Sequence, residues 1–86
     1  MTNTVSTPMA STPKRNPFTP GSVMAGQFDV VVQAHIAGHR DLSRGRGNII
    51  ASMFWKGYDG TRALVDKQSL AWACYRAGQY CKGAGL

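Results

Sequence analysis

From Ser22 onward the apolar residues of this chain recur every three or four positions, and before that point they keep no rhythm. Between Ser22 and Gly38, the residues Met24, Phe28, Val31, Val32, His35 and Ile36 fall on one side of a 3.6-residue helix. Ser22 is a suitable N-cap for it, and Gly38 a natural C-terminal stop. A strand is the rival, because Phe28, Val30, Val32, Ala34 and Ile36 alternate and the valine run 30–32 favours extended backbone. The helix is the expectation.

A second helix follows from Asn48, whose side chain can cap the run NIIASMFWKGYDG. It would bury Ile50, Phe54 and part of Trp55 before Asp59 and Gly60 break it. The third and longest helix is expected to begin at Thr61 or Asp66 and to reach Cys81 or Lys82. Leu70, Cys74, Ala77 and Cys81 form its stripe, Trp72, Tyr75 and Tyr80 broaden it, and the tail KGAGL frays. The pattern therefore predicts an all-α fold, a small bundle of about three helices over residues 21–86.

Residues 1–20 hold all four prolines and many Ser and Thr residues, which predicts a flexible or extended arm. Lys14 and Arg15 make it basic near its junction with the body, and with Phe18 they are its candidate contacts to a protein partner. A body of roughly 65 residues is close to the smallest size at which apolar burial offsets chain entropy, so a partner, a dimer or a metal would be a natural supplement.

Charge narrows the class of partner. Ten Lys and Arg stand against four Asp, a net charge of +6, which favours anionic ligands, nucleic acid foremost; a merely solvated basic surface is the competing explanation. No apolar run is long enough for a signal sequence or a membrane span, so no membrane partner is expected. Cys74 and Cys81, seven apart on one helix, would lie about 10 Å apart along its axis, too far for a disulfide. Free thiols imply a protein that acts in a reducing cytoplasm, the host's if it is phage-encoded, or is packaged from one.

The densest cationic stretch is HRDLSRGRGN, residues 39–48, which reads as an exposed loop. Arg40, Arg44 and Arg46 lie in it, Gly45 and Gly47 loosen its backbone, and Lys56 and Arg62 flank Trp55 and Tyr58 farther on. Guanidinium groups beside exposed rings suit RNA, where both can stack on bases while the cations meet phosphates. This assignment requires the loop arginines to be solvated and aimed jointly outward rather than splayed apart or neutralised by aspartates. The pattern S-x-x-W-x-x-Y also occurs twice, at Ser52, Trp55, Tyr58 and at Ser69, Trp72, Tyr75. On a helix each copy brings two amphipathic rings together, for core packing, for a stacking surface, or by coincidence.

Catalytic and metal chemistry find less support. His35 and His39 have helical ligand spacing, and Cys74 with Cys81 would complete four ligands. But the glutamate of HExxH and any CxxC are missing, GRGN is neither phosphate-loop pattern, and no two aspartates are neighbours. The expectation is a protein that is not an enzyme, with no metal and no cofactor.

The order of motifs resembles the ribosome modulation factor family and its phage-borne relatives. AHIAG at 34–38, the loop RDLSRGRGN and FWKGYDG at 54–60 carry the resemblance, with NPFTPGS at 16–22 similar to a start motif of phage-type members. They cover about a third of the chain, and Asn48-Ile49 departs from the Cys-Pro or Asn-Pro of the family. The resemblance implies an all-α protein that binds the ribosome through ribosomal RNA and dampens translation, with Arg44, Arg46, Trp55 and Tyr58 as contacts. The alternative function is a phage protein-binding component, a virion assembly part or an inhibitor of a host defence complex, acting through its N-terminal arm.

Overall fold

The computed structural model of the chain describes residues 16–86, and among them it contains three α-helices and one 3-10 turn, with no strand. The fold is all-α, as the apolar rhythm requires. Helix α1 spans Val23–Ile36, α2 spans Ile49–Asp59 and α3 spans Leu70–Gly83, with the 3-10 turn Arg40–Leu42 between the first two.

Local chemistry starts the first two helices where it was expected to. Ser22 accepts a hydrogen bond from the Ala25 N–H at 3.1 Å, and Asn48 accepts one from the Ala51 N–H at 2.8 Å. Once capped, α1 buries Ala25, Phe28, Val31 and Val32 on one side, so the strand alternative for residues 28–36 is excluded. Gly60 ends α2 in the left-handed region at φ 76°, which glycine alone enters without strain.

The third helix starts later than either position named from the sequence. Residues 61–66 form no regular element, with Ala63 and Val65 packed against the core while Leu64 points out and is 91% exposed. Asp66 then makes a turn of its own: its carboxylate accepts the Gln68 N–H at 2.9 Å, and its carbonyl accepts the Ser69 hydroxyl at 2.7 Å. Only after that turn does α3 begin. Its tail does not fray, since the Leu86 N–H returns to the Cys81 carbonyl at 2.8 Å.

Phe28, Val31 and Val32 of α1, Met53 and Phe54 of α2, and Ala73, Cys74, Ala77 and Cys81 of α3 close around one core. Ile36, Ile50 and Leu70, expected inside, are exposed. Each stands in the first or last turn of its helix. The tightest packing is between α2 and α3, which cross backbone to backbone at Gly57 and Gly78: a Cβ on Gly57 would strike the Tyr75 carbonyl, and one on Gly78 the Phe54 carbonyl. This contact fixes the angle from which both S-x-x-W-x-x-Y copies project.

Residues 16–20, assigned to the arm by composition, lie against α1. The Asn16 side-chain amide donates to the Ala25 carbonyl at 3.0 Å and to the Asp29 carboxylate at 3.1 Å. Phe18 rests edge-on against Phe28, with ring centroids 6.1 Å apart. It is half-buried and packed against the protein's own core. Lys14 and Arg15 lie outside the described residues.

Candidate nucleic-acid interface

The loop between α1 and α2 is held at several points. His39 Nδ1 accepts the Asp41 N–H at 3.3 Å, opening the 3-10 turn, and the Asn48 amide donates to the Asp41 carbonyl at 3.2 Å. Leu42, in a stretch expected to be wholly exposed, drops into the core and is 5% exposed. Its carbonyl accepts the indole N–H of Trp55. An apolar residue every few positions in a loop is the signal for such an anchor, and here there was only one.

With the loop so placed, its arginines reach carboxylates. Arg44 forms a fork on Asp59, Nη1 to Oδ2 at 2.9 Å and Nη2 to Oδ1 at 2.7 Å, and its guanidinium lies 4.1 Å over the Trp55 ring. The hydrogen bond holds the Asp59 carboxyl below its ordinary range and raises Arg44 above its own. Arg46 meets Asp41 at 3.5 Å, a looser contact. Both arginines stay exposed, but each is set against an aspartate, so the condition that they be free of internal carboxylates is not met by Arg44 and Arg46. Arg44 fastens the loop to α2 and keeps its other N–H groups for solvent. Arg40, Lys56 and Arg62 are exposed and make no ion pair among the described residues.

Trp55 is a wall between two open pockets. One, of about 200 Å³, is lined by Arg44, Gly45, Arg46, Ala51 and Ser52; the other, of about 220 Å³, by His35, Gly38, His39, Leu42 and Ser43. Behind the wall, His35 packs among Phe54, Trp55 and Tyr58 with centroids 4.9, 5.5 and 5.7 Å away, and its Nε2 is 3.0 Å from the Leu86 carbonyl. Trp55 and Tyr58 are half-buried edge-to-face neighbours, and the Lys82 ammonium sits 5.4 Å over the Tyr58 ring.

The second S-x-x-W-x-x-Y copy makes a flatter pair. Trp72 and Tyr75 stack with centroids 5.4 Å apart and an interplanar angle of 19°, and Lys67 and Arg76 stand 5.5 and 5.7 Å over the Trp72 ring. Arg76 is four residues beyond Trp72, a spacing that places it on the same helical face; that spacing was the signal in the sequence.

The histidines and cysteines do not converge. Cys74 accepts a hydrogen bond from the Gln27 amide at 3.4 Å, and burial pushes both thiols up, Cys81 to about 11. Among the described residues no three His, Cys, Asp or Glu gather as metal ligands, and no helix is long and apolar enough to cross a membrane. No family model, no curated protein and no solved structure matches this chain.

Proposed function

We propose that this chain is a small, non-catalytic RNA-binding protein that works on RNA or a ribonucleoprotein in the cytoplasm. The observation that carries the proposal is the distribution of unspent charge. Eight of the ten Lys and Arg fall within the described residues, and Arg40, Lys56, Arg62, Lys67, Arg76 and Lys82 have no carboxylate within ion-pair distance there. Three of these six, Lys67, Arg76 and Lys82, stand over aromatic rings. Cations already neutralised add little to phosphate binding, whereas free cations interleaved with rings suit a strand of RNA. Arg44 serves this surface indirectly, by fixing the loop that carries Arg40. The resemblance of its motif order to that of ribosome modulation factors makes ribosomal RNA the first target to try.

The test is co-sedimentation of the tagged full chain with ribosomes and free RNA from a bacterial lysate, with and without nuclease. The proposal expects association that nuclease abolishes and that weakens steeply between low and physiological salt. Association indifferent to both would refute it.

A second reading, the protein-binding component, is favoured by the outer face of α1. Val23 and Val30 are 75% and 64% exposed there, and α1 carries no Lys or Arg at all. That reading expects an association resistant to nuclease and lost when Val23 and Val30 are made charged.

A further inference from the structure

We infer that the RNA strand is held on the outer face of α3, by the stacked Trp72–Tyr75 pair and the free cations Arg62, Lys67 and Arg76, rather than by the arginine loop; this rests on the RNA-binding reading above.

The pair is a rigid plate. Tyr75 is 8% exposed, and its hydroxyl donates to the Thr61 carbonyl at 2.8 Å, so the lower ring is fixed by both packing and a hydrogen bond. Trp72 lies nearly parallel on it and is only half-buried, so part of its indole remains open to a ligand. A nucleobase stacking there continues a pile of rings that already exists.

The charge around the plate is available. Lys67 and Arg76 lie 5.5 and 5.7 Å from the ring centre, near the outer limit of a useful cation–ring contact, whereas Arg44 presses on Trp55 at 4.1 Å. A base therefore displaces them at little cost, and both then swing to the flanking phosphates. The Thr61 hydrogen bond brings the backbone of Arg62, the next residue, to the hydroxyl edge of the same plate. Asp66, the neighbour of Lys67 in the chain, is turned into the Gln68 N–H, and α3 itself contains no acidic residue.

The loop differs on each point. Arg44 and Arg46 are set against Asp59 and Asp41, and the upper side of Trp55 is covered by Arg44. Of the three arginines in that loop two are offset by two aspartates, which leaves Arg40 as its one unpaired cation among the described residues and gives the loop less attraction for phosphate than the face of α3. The face of α3 sets three cations against one locally engaged aspartate.

The experiment is fluorescence anisotropy of the full chain with a labelled single strand of about twelve uridines, a length suited to one small binding face, over a series of KCl concentrations. Lys67→Gln with Arg76→Gln should weaken binding about tenfold or more and flatten the log–log salt dependence by about 1.4, the share of two phosphates at about 0.7 each on a single strand. Trp72→Leu, which keeps apolar volume but removes the flat ring, should weaken binding with the salt slope unchanged. Arg44→Gln with Arg46→Gln should change affinity by less than about threefold. Full binding by the Lys67 and Arg76 double variant, or a loss confined to the loop variant, overturns the inference and leaves the RNA reading standing. No binding by the unaltered chain at low salt overturns both.

Discussion

Adding one methyl group at Gly57 or Gly78 should do more harm than any other single-carbon change in the protein. A Cβ at Gly78 would come 2.7 Å from the Tyr58 nitrogen and nearer still to the Phe54 carbonyl; one at Gly57 would come 2.9 Å from the Tyr75 carbonyl carbon and 3.1 Å from the Gln79 nitrogen. All of these are backbone atoms, so no side chain can turn aside, and the helices must part by on the order of an ångström across a packed core. Overpacking of that kind costs about 1–3 kcal/mol and sometimes more. The opposing gain, the better helix propensity of alanine, is about 0.5–1 kcal/mol. Contacts under 3.0 Å with backbone put the clash at the upper end of that range, about 3 kcal/mol, so it outweighs the gain and leaves a net loss of about 2 kcal/mol from a domain of some 70 residues whose whole stability is roughly 4–10 kcal/mol. At about 4–8 °C per kcal/mol, Gly57→Ala or Gly78→Ala should melt about 8–16 °C below the unaltered chain in a calorimetric or circular-dichroism scan. Gly26→Ala is the control, since Gly26 is helical and nothing lies within 4 Å of its added Cβ; it should melt a few degrees higher. If Gly57→Ala and Gly78→Ala melt with Gly26→Ala, α2 and α3 do not meet at these glycines and the reasoning is wrong.

Burial raises the Cys81 thiol from 9.0 to about 11, so folding favours its protonated form. The stability this provides is full below pH 9 and is lost as pH rises through about 11, and denaturant midpoints measured at pH 8 and pH 10.5 should fall accordingly; Cys81→Ala should flatten that dependence. Asp59→Asn should release Arg44, so that the amides of residues 43–47 exchange faster with deuterium; in the unaltered chain the same release should appear only once pH falls below the ordinary carboxylate value of 3.8, because the Asp59 carboxyl is held below it. Phe18→Ala should cost about 1–2 kcal/mol in a denaturant titration, because a half-buried ring leaves the edge of Phe28.

What the sequence made legible was what local chemistry decides. Ser22 and Asn48 act on N–H groups three residues away, and a cap of that kind needs no tertiary context. The paired rings of each S-x-x-W-x-x-Y copy also follow from helical spacing alone. The late start of α3 was hidden because Asp66 can cap a helix or make a turn, and the packing of Ala63 and Val65 ahead of it, outside any helix, selects the turn. The candidate site was the least legible part. Arg44 and Asp59 are fifteen residues apart, and only the descent of Leu42 into the core brings them together. A count of charges shows an excess of cations without showing which of them are already spent.

Helix α3 packs against both of its neighbours, with α2 joined to it by the short connection Gly60–Ser69, while α1 meets it only across the whole of α2 and both connections. The order of assembly follows from the cost of closing those chain segments: the α2–α3 hairpin is the nucleus and α1 docks afterwards. In stopped-flow refolding, shaving the ring of Phe54 should slow folding, and shaving that of Phe28 should chiefly speed unfolding.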